Sequence, residues 1–250
     1  DMDEGSGADL FVWGGNRNYT LGLSHGNDSA LPERVKLKCN ERRTPLIAGA
    51  RFNRPHVRDI SMSRWHTVLA TNEPRKNVYV CGIGSQARLG RSAQSLPTFE
   101  PLRDFSDTAN IVVAGSDHTI IVTETGAVYT FGSNRMAQLG YAIEEGLGVV
   151  SSSSGTKRSG ATSHPNQHSL QGPVSDVSGV ELDLQVTPRR VQGPLKREVI
   201  IGAAASRLHS VAYTASALYT WGTNNGQLGY DRHSAPVQVQ PLSLIHISEP

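Results

Sequence analysis

Three histidines in the sequence could take part in metal binding or in activating a nucleophile. They are His66, His118 and His209, and each is followed directly by a serine or a threonine. Imidazole is a common metal ligand and a common general base. A metal site would need the three rings to converge, and nucleophilic catalysis would need a hydroxyl within reach of a ring. Neighbouring residues of a strand point to opposite faces, so a histidine and the hydroxyl after it do not form such a pair.

The chain carries four copies of one strand-and-turn motif. The copies are LFVWGGNRNYTLG (10–22), VYVCGIGSQARLG (78–90), VYTFGSNRMAQLG (128–140) and LYTWGTNNGQLG (218–229). Each begins with a β-branched and aromatic run typical of a strand. A glycine follows, then an asparagine in three of the copies, then Leu-Gly. We interpret each copy as a strand that buries an aromatic residue and ends in a tight turn.

A companion segment precedes three of these copies and contains the histidines. It reads DISMSRWHTVLA (59–70), IVVAGSDHTIIVT (111–123) and VIIGAAASRLHSVAYT (199–214), and a hairpin is predicted with its turn at 124–126. Because each histidine has the same place in its repeat, rotation between repeats relates the three rings and keeps them apart. We therefore expect structural histidines with satisfied hydrogen bonds and no metal. The repeat motif residues are Trp13, Gly14, Gly22, His66, Gly82, Gly90, His118, Gly132, Gly140, His209, Trp221, Gly222 and Gly229.

The repeats predict an all-β fold. No segment shows a convincing helical period over ten or more residues, whereas short antiparallel strands in repeated units suit the radial packing of a β-propeller. Four motif copies give three to four blades, which cannot close a seven-bladed ring. Open blade edges invite aggregation, so we expect marginal stability for this chain alone.

The motifs resemble the RCC1 repeat, named for the regulator of chromosome condensation, which builds seven-bladed β-propellers. The resemblance covers roughly 9–241. Within that family, the second and fourth copies are most similar to the repeat region of inhibitor-of-Bruton-tyrosine-kinase-like proteins and their fungal relatives, which combine ankyrin repeats, RCC1 repeats and BTB domains. The shorter turn of the fourth copy supports this subgroup. The second copy departs from the pattern, with Cys81 in place of an aromatic residue and Gly84 in place of asparagine.

The predicted organisation is a linker at 1–8 and a partial propeller over 9–241. Two insertions interrupt the repeats, at 36–57 and at 142–187, and the Ser/Gly-rich second one is expected to be disordered. The last stretch, LSLIHISEP (242–250), resembles the translation of a sequencing adapter and is expected to be non-native. Together with the start at Asp1, it suggests a truncated reading frame.

Composition excludes several classes of protein and offers few other sites. The net charge is +2 without a basic stripe, which disfavours specific nucleic-acid binding. Two cysteines, no signal peptide and no long apolar run favour a cytoplasmic or nuclear protein with no membrane span.

The remaining candidate sites are weak. Gly82 and Gly84 lack the following helix of a dinucleotide fingerprint, so no cofactor is expected. We interpret the adjacent carboxylates Glu144 and Glu145 as solvated. The basic run Lys36, Lys38, Arg42 and Arg43 is either a solvated loop or a contact for phosphate or an acidic partner.

The resemblance implies a protein–protein interaction module and no enzymatic activity. In relatives of this kind the propeller serves substrate recognition or scaffolding, and BTB domains, absent from these residues, can join cullin-3 ubiquitin ligases. The alternative is a guanine-nucleotide exchange factor for a small GTPase with chromatin association, as in the founding member. The segment with which that member faces its GTPase has no match here. The sequence leaves the identity of the partner open.

Overall fold

Four antiparallel sheets follow one another along the chain. The computed structural model describes residues 10–35, 37, 55–92, 94–142, 183–230 and 237–242. Its strands are β1 (Leu10–Gly14), β2 (Ser29–Val35), β3 (Val57–Met62), β4 (His66–Thr71), β5 (Val78–Gly82), β6 (Leu96–Pro101), β7 (Ala109–Ala114), β8 (His118–Thr123), β9 (Val128–Ser133), β10 (Leu184–Arg190), β11 (Gly202–Ala205), β12 (His209–Tyr213), β13 (Leu218–Gly222) and β14 (Val237–Leu242). The predicted all-β fold is confirmed.

Each sheet is built from strands in sequence order. Blade 1 holds β1 and β2, blade 2 holds β3 to β6, blade 3 holds β7 to β10 and blade 4 holds β11 to β14. Tight turns make this order possible. Between β8 and β9 the Gly126 amide donates to the Thr123 carbonyl at 2.9 Å, and Gly126 has a φ of +79°. The predicted hairpin therefore lies where the sequence placed it.

The hydrophobic core lies between successive blades. Three apolar clusters join blade 1 to 2, blade 2 to 3 and blade 3 to 4. In the last two, the glycine that closes one repeat touches the aromatic residue of the next. A β-carbon added at Gly140 would lie 3.0 Å from Trp221 Nε1, and one at Gly90 would lie 3.3 Å from Phe131 Cε2. The Leu-Gly end of the motif is thus a site of close approach between blades.

Side chains of one blade also bond the backbone of the next. On β3, Asp59 Oδ2 accepts from the Val112 amide at 2.8 Å and Ser61 Oγ accepts from the Ala114 amide at 2.9 Å. Both amides belong to β7, the first strand of blade 3. These bonds satisfy a strand that has a backbone partner on one side only. They fix the position of blade 3 against blade 2.

The prediction that every copy buries its aromatic residue is wrong for the first copy. Trp13 is 62% exposed, whereas Trp221 and Phe131 are fully buried. The buried rings are covered by the closing glycine of the preceding repeat. No described residue precedes β1 to supply such a turn, so the indole of Trp13 faces outward.

Cys81 replaces the aromatic residue in blade 2 because another ring fills the space. Phe99 of β6 lies against Gly22, where a β-carbon would come within 2.6 Å of its ring. Cys81 Sγ lies 3.5 Å from the Thr20 carbonyl oxygen and is fully buried. Burial raises the pKa of its thiol. The second copy therefore keeps a filled core with the aromatic group supplied by a different strand.

Gly84 replaces asparagine in the second copy because the backbone of Gln94 passes over it. Gly84 has φ −84° and ψ −2°, which other residues adopt freely, but a β-carbon there would lie 2.0 Å from the Gln94 carbonyl oxygen. We expect Gly84→Asn, which restores the repeat consensus, to lower the free energy of unfolding by about 2 kcal/mol through overpacking. Urea unfolding measures the change.

Gly15→Asn is the matched control for that substitution. A β-carbon at Gly15 meets nothing closer than Asp28 Oδ1 at 3.9 Å, so this variant should unfold within about 0.5 kcal/mol of the parent chain. A Gly84→Asn variant as stable as the Gly15→Asn variant would contradict the explanation by close approach.

Two strands cross boundaries that the sequence predicts. Strand β10 begins at Leu184, inside the segment 142–187 that the sequence predicts to lack regular structure. Its alternating Leu184 and Val186 carry a strand signal, and the strand pairs with the outer edge of β9. Strand β14 includes Leu242, the first residue of the stretch predicted to be non-native, which pairs with Leu218. Residues 1–8, 143–182 and 243–250 lie outside the described residues.

Candidate functional site

The three histidines begin the second strand of blades 2, 3 and 4, and two of them bond the next blade. His66 Nε2 lies 2.8 Å from Thr119 Oγ1, and His118 Nε2 lies 2.8 Å from Ser210 Oγ. In each case the hydroxyl belongs to the residue directly after the corresponding histidine of the next repeat. The motif His-Ser/Thr therefore links successive blades. Its ring bonds a hydroxyl of the following blade, and its own hydroxyl bonds the ring of the preceding blade.

The hydroxyls fix the direction of these bonds. Thr119 Oγ1 donates to the Arg88 carbonyl at 2.8 Å, and Ser210 Oγ donates to the Gln138 carbonyl at 2.8 Å. A hydroxyl has a single proton, so each must accept from the imidazole. Nε2 of each ring therefore carries a proton, as inferred from the bonding pattern. Thr67, the residue after His66, makes the equivalent bond: its Oγ1 donates to the Thr20 carbonyl at 2.7 Å.

The other ring nitrogen has a partner in two of the three repeats. Ser63 Oγ lies 3.1 Å from His66 Nδ1, and Ser206 Oγ lies 2.7 Å from His209 Nδ1. Glycine stands at the equivalent position of blade 3, and His118 Nδ1 has no partner among the described residues. A β-carbon at Gly115 would lie 2.6 Å from His118 Cε1, so the ring occupies the space a serine would need.

Burial makes the two inner histidines very weak bases. Desolvation, then the charge of Arg88 and then His118 lower the pKa of His66 to about 3. Desolvation and then His209 lower the pKa of His118 to about 4. Burial also lowers the pKa of His209. His66 and His118 therefore stay neutral at physiological pH, with their single ring proton on Nε2.

This arrangement supports a structural role rather than catalysis. Sequence reasoning excluded a pair between a histidine and the hydroxyl directly after it. It missed the pairs with the serine three residues before the ring, such as His209 with Ser206, and the pairs between repeats, such as His118 with Ser210. In that pair the ring donates and the hydroxyl proton points to a carbonyl, which is the reverse of general-base activation. Both side chains are fully buried. Within the described residues, no group of three or more His, Cys, Asp or Glu side chains could hold a metal ion.

The asparagines close the turns as the sequence predicts. Asn134 Oδ1 accepts from the Leu139 amide at 3.0 Å, and its Nδ2 donates to the Tyr141 carbonyl at 2.7 Å. In the fourth copy, which is one residue shorter, Asn224 Oδ1 accepts from the Gly226 amide at 3.0 Å. Asn224 Nδ2 still donates to the carbonyl of the following tyrosine, Tyr230, at 3.2 Å, so this bond is common to both turns.

A cavity that sequence reasoning missed lies at the ends of blades 2, 3 and 4. Its volume is about 570 Å³. The loops before the three histidines form one part of its wall, and the turns after β5 and β9 form the other. Its charged and aromatic lining residues are Arg64, Trp65, Arg88, Asp117, Arg135 and Arg207. A signal was present in the sequence: Arg64 and Arg207 occupy the same place in their repeats, two residues before the histidine.

The remaining candidates from the sequence do not form a binding or catalytic site among the described residues. Gly84 leads into a three-residue 3-10 turn, Ser85–Ala87, and not into the helix that a dinucleotide fingerprint requires. The carboxylate pair at 144–145 and the basic run at 36–43 lie outside the described residues, apart from Leu37. Among the described residues no helix is long and apolar enough to cross a membrane.

Comparison with known proteins defines the class of repeat. The family described as Regulator of chromosome condensation (RCC1) repeat matches residues 111–138, which span most of β7 to β9 and the following turn. Yeast RCC1 (Prp20), solved with Kap60, superposes with a TM-score of 0.61 at 16% identity, over 91% of this chain and 41% of that one. Together with the four motif copies, these findings show that the chain is an RCC1-repeat domain with part of a β-propeller.

Two relatives show which RCC1-repeat proteins the chain is similar to. BTB/POZ domain-containing protein 1 of Schizosaccharomyces pombe is 32% identical over 92% of this chain, and the human inhibitor of Bruton tyrosine kinase is 30% identical over 88%. The chain spans only 15% and 13% of the lengths of these two relatives. It is thus homologous to the RCC1-repeat region of BTB-containing proteins.

Proposed function

We propose that this chain is the protein-binding module of a BTB-containing adaptor and that it recognises a substrate or scaffolds a complex in ubiquitin-ligase-type regulation. The observation that carries the proposal is the similarity to BTB/POZ domain-containing protein 1, which extends over nearly the whole chain. The adaptor's link to cullin-3 would come from BTB domains outside these residues.

The geometry supports binding rather than chemistry. The rings of His66 and His118 are buried in bonds between blades, and the partly buried ring of His209 bonds Ser206 of its own blade at 2.7 Å. The exposed polar residues lie instead on the loops and turns at the blade ends, such as Arg64 and Arg135. A rigid scaffold that presents variable loops is a common way of building a recognition surface. We therefore infer that the chain is not an enzyme.

Deletion of this region from the full-length protein tests the proposal. Quantitative affinity purification from cells should recover cullin-3 with both the intact protein and a version lacking 10–242. At least one other protein should be lost with the deletion, and its ubiquitination should fall. Loss of cullin-3 together with the region, or a set of partners that the deletion leaves unchanged, would contradict the adaptor role.

A nucleotide-release assay tests the exchange-factor alternative directly. Small GTPases loaded with a fluorescent GDP analogue should release it at the same rate with and without the chain. Accelerated release at catalytic amounts of the chain would replace the adaptor proposal by exchange activity.

A further inference from the structure

The cavity between blades 2, 3 and 4, here called the arginine cavity, combines excess positive charge with an aromatic wall. Four arginines and one aspartate line it. The aspartate is already paired: Arg88 Nη2 lies 2.7 Å from Asp117 Oδ1. Arg64, Arg135 and Arg207 are exposed and make no ion pair with any described residue. Three positive charges thus face one concave space in a chain whose net charge is only +2.

The wall behind these arginines is fixed in place. The Arg88 side chain is 4% exposed, and besides Asp117 it bonds Ser85 Oγ at 3.0 Å. Its Nε is buried without a partner among the described residues. Arg88 therefore ties the turn of blade 2 to the loop of blade 3, and it holds the two sides of the cavity at a constant separation.

Trp65 gives the cavity an apolar surface next to the charges. The guanidinium of Arg64 lies 4.8 Å from the centre of its ring and that of Arg88 lies 5.7 Å away. A guanidinium stacked on a ring keeps its N–H donors in its own plane, where they can still bind a carboxylate. Met136, which is 42% exposed, adds a second apolar contact on the rim.

We propose that the arginine cavity binds an acidic segment of a partner protein, with carboxylates against Arg64, Arg135 and Arg207 and an apolar side chain against Trp65. This proposal rests on the proposed binding function and names the chemistry of its partner. A volume of 570 Å³ lies within the usual range for binding sites, about 300–1,000 Å³, and admits several side chains. Arg64, Arg135 and Arg207 converge on one concave space, whereas a nucleic acid would need a basic track along its backbone.

Fluorescence anisotropy with defined peptides tests the proposal. The probe is a fluorescein-labelled decapeptide of Asp and Glu around a central Phe, and its partner peptide carries Lys at every acidic position. The 250-residue chain should bind the acidic peptide saturably and the basic one not at all. Because the contact is ionic, affinity should fall as salt rises from about 50 to 200 mM. Absence of saturable binding to the acidic peptide would overturn the inference.

Charge reversal locates the site. Arg135→Glu/Arg207→Glu should weaken binding at least about tenfold, whereas Arg103→Glu/Arg197→Glu, with the same change in net charge on exposed residues outside the cavity, should leave it within about twofold. All four arginines are exposed, so circular dichroism should show both variants folded. Arg135→Gln/Arg207→Gln provides a milder second variant. Equal loss of binding in the cavity pair and in the outer pair would overturn the assignment.

Two further experiments distinguish an acidic segment from a phosphate ligand, and the arginine cavity from other binding surfaces of the chain. Binding that requires a phosphoserine in place of Glu, or tighter binding of a single-stranded oligonucleotide, would assign the cavity to phosphate and overturn the proposal. In the full-length protein, Arg135→Glu/Arg207→Glu should release the partner that deletion of 10–242 releases. If the partner stays bound, the adaptor function stands and the arginine cavity is not its site.

Discussion

Replacement of His118 by alanine should lower the free energy of unfolding by about 3 kcal/mol, because it removes a buried bond between blades and leaves a cavity. His118 is fully buried, and its ring reaches Ser210 of blade 4 at 2.8 Å. Urea unfolding followed by tryptophan fluorescence measures the change. Trp221 is a suitable reporter, since its Nε1 donates at 2.8 Å to the same Gln138 carbonyl that Ser210 binds.

His209→Ala is the matched control at the equivalent position of the next repeat. Its ring bonds Ser206 of its own blade and has no described partner in a following blade, and it is only partly buried. We expect this variant to lose about 1 kcal/mol. Equal losses at the two positions would show that the contact between blades is not what His118 contributes. Elemental analysis of all three proteins should find no stoichiometric metal, and zinc in the parent chain would overturn the structural role.

The sequence predicts the repeated elements because each element is specified locally. A β-branched run, a glycine that allows a positive φ, and an asparagine that bonds its own turn all act within about a dozen residues. The hairpin at Gly126 and the turn closed by Asn134 therefore lie where expected. The start of strand β10 was placed too late because it follows the long insertion, and only Leu184 and Val186 mark the alternation there.

Relations between repeats could not be read in the same way. The bond from His66 to Thr119 joins residues 53 positions apart, and its existence depends on how one blade is placed on the next. The same holds for Trp13, since its exposure depends on how its blade packs and not on the residue types of its own strand. In the arginine cavity, residues from three blades meet, and only the shared repeat position of Arg64 and Arg207 marks them in the sequence. Packing of repeat on repeat decides each of these features.

Acidification should destabilise the chain by about 4 kcal/mol between pH 7 and pH 5, through His66 and His118 together. Their pKa values in the folded state are about 3 and about 4, below the ordinary value of 6.5. Between these values the unfolded chain binds more protons than the folded one. The stability is therefore fully present above pH 6.5, and it falls as the pH decreases from 6.5 towards 3.

The double variant His66→Gln/His118→Gln isolates this contribution. Glutamine can still donate from Nε2 to the hydroxyls of Thr119 and Ser210, but it does not titrate. Its free energy of unfolding should be lower at pH 7 and should change with pH by about 4 kcal/mol less than that of the parent chain. Urea unfolding at several pH values measures both slopes. If the slopes coincide, protonation of the two buried rings does not drive the acid transition.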